Sequence, residues 1–304
     1  MNTEYIKNLN SRFAVGDDIS FIAGEGGMPI VAISTALCDA ELSIYGAHML
    51  SFIPKGFDDL LWVSRDSIYK EGTAIRGGIP VCWPWFGAHP LESSVYSHGF
   101  ARRNSWQLIK CAVDKDGIAV INLELTGDED QMPGWPYPFQ AEIEVRAGSK
   151  LEVELKSINK GDVPFEIKNA LHTYFSVGDV RKIRVVGLDG VSYGDDTASG
   201  AIKKQIGDIT FSSEVDRNYR NSSDKCEIID PGKNRKIIVS KKGSLTTVVW
   251  NPWVEKAAAL PDFANDEYLE MVCVETVNSF DDTRKVMPGS SHSMTTIISA
   301  EKLD

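Results

Sequence analysis

The feature that most restricts the fold is a two-residue alternation of apolar and polar side chains, recurring from about residue 30 to 299. Leu151, Val153 and Leu155 alternate with Glu152, Glu154 and Lys156, the period of a strand with one buried and one wet face. Alternating or β-branched segments also occupy Ala40–Leu50, Gly117–Leu125, Gln140–Val145, Lys150–Ile158, Arg181–Val186, Arg235–Ser240, Ser244–Trp250 and Ser293–Ser299. Gly, Asp, Asn, Ser and Lys separate them, at Asp114–Gly117, Gly148–Lys150, Asn159–Asp162 and Lys241–Gly243, as antiparallel hairpins require. Helical periodicity is scarce. The spacing predicts one short helix over Asp262–Glu270, after Pro261 and capped by Asp262. A TIM barrel or Rossmann domain needs regular helices between strands. The expectation is therefore an all-β fold, a large antiparallel β-sandwich with few short helices. No linker or repeat divides the chain, so 1–304 is expected as a single domain with its core over about 30–300.

Charge and cysteine usage narrow the function. A net charge of −11 argues against a nucleic-acid partner, which needs a broad basic face. It leaves room for one small anion held by a few arginines in a cleft. There is no apolar run of the roughly 20 residues that span a membrane, and MNTEYIKNLNSRF lacks the apolar core of a secretory signal, so a cytoplasmic protein is expected. Cys38, Cys82, Cys111, Cys226 and Cys273 form no CxxC pair and no zinc spacing with histidine, which reads as free thiols in a reducing compartment with no metal. Gly24-Glu25-Gly26-Gly27 lacks the Lys-Ser/Thr ending of a phosphate loop. No cofactor is expected, and a monomer is the default.

Five segments carry polar groups suited to chemistry. Arg76-Gly77-Gly78-Ile79-Pro80, followed by Trp83-Pro84-Trp85-Phe86-Gly87, joins a guanidinium fork to glycines that permit close backbone approach; a tight turn with a salt-bridged arginine explains it equally. Ser97-His98-Gly99-Phe100-Ala101-Arg102-Arg103 brings a histidine and an arginine within reach of one pocket, or makes a surface loop. In Asn169-Ala170-Leu171-His172-Thr173-Tyr174-Phe175, His172 lies in an apolar, aromatic run; it is either a tuned imidazole or a satisfied core histidine. Gly187-Leu188-Asp189-Gly190-Val191-Ser192-Tyr193-Gly194-Asp195-Asp196 reads as a glycine-rich turn or as a carboxylate site for sugar hydroxyls. In Met271-Val272-Cys273-Val274-Glu275-Thr276-Val277-Asn278, Glu275 interrupts an apolar run and shares a face with Cys273. Such a carboxylate must be paired, protonated or in a cleft.

In this order the segments resemble the aldose 1-epimerase superfamily, and within it the glucose-6-phosphate 1-epimerase (hexose-6-phosphate mutarotase) branch. Val249-Trp250-Asn251-Pro252-Trp253 and Asp262 to Tyr268 extend the likeness across roughly 30–300. The resemblance implies a galactose-mutarotase-like sandwich that changes a hexose 6-phosphate between α and β anomers. It places the catalytic histidine at His172, the catalytic glutamate at Glu275, and substrate binding at Arg76, His98, Arg102 and Asp195. By analogy, phosphate falls to Arg76 and Arg102, with Arg103 and Lys256 as further candidates. Asp196 stands where the family often has lysine, and Thr276-Val277 where it commonly has a small residue and glycine. Ring opening needs a proton placed on the ring oxygen and one removed from the anomeric hydroxyl; His172 is expected as the acid and Glu275 as the base. The rival expectations are an epimerase of free hexoses, a non-catalytic sugar-binding protein on the same fold, and a glycoside hydrolase, which needs a second carboxylate.

Overall fold

The computed structural model describes residues 3–92, 94–128, 132–222 and 225–303. Two eight-stranded antiparallel sheets dominate it. One runs in the order Arg184–Val186, Lys225–Asp230, Arg235–Lys242, Ser291–Lys302, Leu151–Asn159, Phe139–Ala147, Ala119–Gly127 and Gln107–Val113. Leu151–Asn159 and Phe139–Ala147 bury every second residue, as the alternation predicts.

The other sheet carries the cleft. Its order is Ala201–Lys204, Ser192–Asp195, Val215–Arg220, Thr246–Asn251, Met271–Asn278, Asn169–Leu171 and Val81–Cys82, with Tyr174–Ser176 also paired to Met271–Asn278. The strand Met271–Asn278 is buried throughout. Val272 and Val274 join the main core, which reaches from Leu9 to Ile298. Met271, Cys273 and Val277 join a second cluster, with Trp62, Tyr174, Trp250 and Phe263. Apolar groups on both faces explain the strand's near-continuous apolar run, and Glu275 sits on the Cys273 face inside it.

Several segments depart from expectation. Ala40–Leu50 is two strands, Cys38–Ser43 and His48–Pro54, because Gly46 and Ala47 turn the chain with positive φ. The helix expected over Asp262–Glu270 is absent but for a single turn at Glu267–Leu269. There, tertiary bonds override local propensity: Asp262 pairs with Arg76 at 3.0 Å, and the buried Glu267 carboxylate accepts from Ser64 Oγ and Arg65 N. A short helix forms instead at Trp253–Ala259, after Pro252. The helix Thr3–Phe13 and the strand Ile19–Ala23 lie before residue 30. They add Leu9, Ile19 and Phe21 to the core. No described helix is long and apolar enough to cross a membrane, and all five cysteines are free.

The paired glycines serve the protein's own backbone. Gly77 and Gly78 hold φ of 113° and 61°. A methyl at Gly78 would land on the Met49 carbonyl and crowd the buried His48 ring; at Gly77 it would land on Trp62 and Val63. Gly78→Ala is expected to cost about 2–3 kcal/mol of stability, since strained φ and overpacking act together. A chemical-denaturation midpoint unchanged from wild type would contradict this.

Candidate functional site

Cross-strand register builds the site in two rows. Asp216 faces Trp250, which faces Cys273, which faces Tyr174; Asn218 faces Val248, which faces Glu275. The second row ends at a gap. Leu171 pairs with Thr276 and Tyr174 with Cys273, so His172 and Thr173 lie between two short strands, opposite Val274 and Glu275. His172 N donates to Pro80 O at 3.1 Å, and Tyr174 N to Gly78 O at 2.9 Å. The glycine-rich segment thereby fixes where the imidazole stands. His172 Nε2 lies 3.4 Å from Glu275 Oε1. The two sequence-distant groups meet at the floor of one cavity of about 390 Å³, within the roughly 300–1,000 Å³ of small-molecule sites.

Burial controls the pair. His172 is 9% exposed and Glu275 2%. Burial drives the imidazole well below its ordinary value, helped by His98, Arg102 and Arg76. Burial also drives the carboxyl well above its ordinary value, and Asp216 adds to this, while Arg102 opposes it. Both shifts favour the uncharged forms, a neutral imidazole beside a protonated carboxyl. The expectation from sequence had His172 charged and Glu275 ionised; these directions favour the opposite placement of the proton. The ion-pair form differs only by a proton moved from Oε1 to Nε2.

His98 also lines the cavity, with its ring 5.8 Å from that of His172. Its Nδ1 accepts from Gly87 N–H at 3.3 Å, which leaves the neutral ring's proton on Nε2, a donor. Burial, with Arg102 and Arg76 near, pushes it down to about 3, so His98 stays neutral. The residue holds a left-handed φ of 63°, and a methyl on the following Gly99 would strike the Trp83 carbonyl.

The cations of the cleft are not equivalent. Arg76 lines it but is clamped by Asp262 at 3.0 Å and by Tyr174 Oη at 3.1 Å. Lys256 lines it and is held by Glu214 at 2.9 Å and Asp216 at 3.4 Å. Arg102, 9% exposed, donates to the Ser97 carbonyl at 3.2 Å, and its Nε has no partner. Among the described residues no carboxylate lies in ion-pair range of it. Arg103, though adjacent, turns away, donating to Gly72 O and lying over the Tyr96 ring.

Asp195 does not line the cavity. It pairs across the sheet with Arg217, on the face opposite Asp216 and Asn218. Its carboxylate is committed to Lys203 at 2.7 Å and to Thr197. Its neighbour Asp196 lines the cleft instead, held by Asn218 Nδ2 at 2.8 Å. Asp195 ends the strand Ser192–Asp195 and Asp196 opens the tight turn Asp196–Ala198, so the two carboxylates part there and the sugar-binding position expected at Asp195 does not fit its placement. Asp216, Asn218, Tyr174 and Trp250 also line the cavity without having been assigned a role from sequence. The alternation of Val215, Arg217 and Tyr219 with Asp216 and Asn218 is the signal that could have found two of them.

Comparison with known proteins agrees with this architecture. The family model for aldose 1-epimerase matches residues 29–299. A relative from Escherichia coli (strain K12), provisionally named a glucose-6-phosphate 1-epimerase, is 37% identical over 261 residues, covering 85% of this chain and 86% of its own. One from Cenchrus ciliaris, named the same way, is 37% identical over 247 residues, covering 78% of this chain and 74% of its own. The crystal structure of a provisionally named mutarotase from Salmonella typhimurium superposes with a TM-score of 0.88 at 30% identity, over 95% of this chain and 96% of that one. Galactose 1-epimerase from Lactobacillus acidophilus NCFM, at 12% identity, shares the fold with a TM-score of 0.73 over 94% of this chain and 99% of that one. A sandwich of this topology, with the family model matched from residue 29 to 299 of 304, leaves one assignment: the chain belongs to the aldose 1-epimerase family.

Proposed function

We propose that the protein interconverts the α and β anomers of a hexose 6-phosphate, glucose 6-phosphate foremost, by opening and reclosing the sugar ring. The observation that carries this reading is the contact of His172 with Glu275, 3.4 Å apart at the floor of a polar cavity. The ring oxygen and the anomeric oxygen hang on one carbon, so the groups serving them must be neighbours. The pair supplies one acid and one base. As the ring opens, one member gives a proton to the ring oxygen while the other takes the proton of the anomeric hydroxyl. The C1–ring-oxygen bond breaks and an aldehyde forms. Rotation about C1–C2 presents the other face, and closure returns both protons. Either location of the shared proton serves, because the reaction runs both ways through the same groups.

The remaining residues orient the sugar. His98 Nε2–H donates to a sugar oxygen, Asp196 and Asn218 meet hydroxyls, and Trp250 offers an apolar surface to the ring. Arg102 is the phosphate anchor, since its charge is not already spent on a carboxylate. Arg76 and Lys256 add positive field from clamped positions. The test is anomer exchange followed by NMR, comparing glucose 6-phosphate with glucose. Much faster exchange of the phosphorylated sugar is expected; equal rates would favour the free-hexose epimerase, and no acceleration of either a sugar-binding protein.

The pH profile follows from the buried pair. Gain of a proton by neutral His172 removes the base, and loss of the Glu275 proton removes the acid. Since His172 is shifted down and Glu275 up, the active form spans a plateau, with an acid limb below the usual histidine range and an alkaline limb above the usual carboxylate range. Asp216, itself raised to about 6 by burial, raises Glu275 by repulsion. Asp216→Asn is therefore expected to move the alkaline limb of kcat/KM to lower pH. A limb that stays in place or rises would remove Asp216 from this role.

A further inference from the structure

We propose that His172, Cys273 and Glu275 form a capture site for a borderline-soft divalent cation, zinc above all, which occupies the cleft floor and blocks it. The block rests on the acid–base reading given above; the binding does not. One ligand atom from each residue lies within 4.8 Å of the others. The imidazole and carboxylate atoms, at 3.4 Å, already match one edge of a zinc tetrahedron, where bonds of about 2.0–2.2 Å set nitrogen and oxygen ligands about 3.4 Å apart. The sulfur, with a longer bond of about 2.3 Å, lies within 4.8 Å of the other two and closes the third corner by a movement of about 1 Å.

The donor set chooses the metal. Magnesium and calcium take oxygen ligands, whereas nitrogen, sulfur and oxygen together suit zinc or cobalt. Glu275 Oε2 is buried without a hydrogen-bond partner, so the carboxylate has acceptor capacity that the protein's own groups leave unused. A dication that displaces the thiol and carboxyl protons leaves metal, thiolate and carboxylate summing to zero charge. That balance suits a buried position close to Arg102 and Arg76. The fourth position opens into the cavity, to water or a sugar oxygen. While the metal is bound, neither His172 nor Glu275 can exchange a proton. Sequence spacing gave no zinc motif because His172 lies in the gap between Asn169–Leu171 and Tyr174–Ser176, about 100 residues before the facing strand that carries Cys273 and Glu275. Cys273 is fully buried, lines no part of the open cavity, and has no task in ring opening.

The test is calorimetric titration of the whole protein with zinc, and cobalt(II) as a spectroscopic probe. Expected are one metal per chain, an intense thiolate-to-cobalt absorption, and loss of anomer exchange in step with occupancy, reversed by a chelator. Losing even a residue behind a ligand costs about 10–100-fold in affinity, so Cys273→Ala should weaken zinc by at least about 100-fold while metal-free exchange persists. Absence of the thiolate band, equal zinc affinity in Cys273→Ala, or undiminished exchange with zinc bound would overturn the proposal. If Cys273→Ala does not fold, the cobalt spectrum of the wild type decides alone. Metal binding through Cys273 in a protein that exchanges no anomers would uphold the site and overturn the mutarotase reading instead.

Discussion

Glu275→Gln is expected to fold normally and to lose about 10²–10⁴-fold in anomer exchange, the usual contribution of one positioned acid or base. Folding should survive because burial holds the native carboxyl in its neutral form, and an amide of nearly the same shape replaces it. The loss follows because an amide neither gives nor takes the proton. His172→Ala should lose a similar factor. The double variant should be little worse than either single one, because the two groups act as a unit. The check is NMR exchange on glucose 6-phosphate, with a melting curve to establish that each variant is folded. A folded variant with near-normal exchange would remove that residue from the chemistry.

Arg102→Ala is expected to lower kcat/KM for a hexose 6-phosphate by about 10–100-fold. Hydrogen bonds to charged groups contribute roughly 1.5–3 kcal/mol, and each 1.4 kcal/mol is about tenfold. The free hexose should be affected far less, since it carries no phosphate. Lys256→Ala should cost less than Arg102→Ala, because Lys256 already spends its charge on Glu214 and Asp216. Arg103→Ala should leave both substrates nearly unchanged, as its guanidinium is held by Gly72 O outside the cavity. Kinetics on both sugars with each variant separate these cases. A uniform loss on both would mean that Arg102 shapes the cleft rather than reads the phosphate.

The legible parts of the chain were those set by short periods. Alternation at Leu151 to Lys156 located a strand that the sheet confirms. The shared face of Cys273 and Glu275 likewise needed only a period of two. The parts that were not legible depend on what meets across the sheet. Nothing near Asp262 announces Arg76, 186 residues away, so its carboxylate read as a helix cap. Asp195 and Asp196 are adjacent, and only the pairing of Asp195 with Arg217 says which one faces the cleft. The glycines beside Arg76 pointed to close approach, but the partner is the chain's own backbone at Trp62 and Met49. The protonation of His172 and Glu275 depends on burial that no local pattern encodes.

The most direct measurement is a crystal structure of the protein with a hexose 6-phosphate analogue that lacks the anomeric hydroxyl and so cannot open. The expected result has the sugar's ring oxygen within hydrogen-bond reach of one member of the His172–Glu275 pair, C1 beside the other member, and the phosphate on Arg102. A phosphate lodged against the pair itself, or a sugar bound away from both side chains, would contradict it.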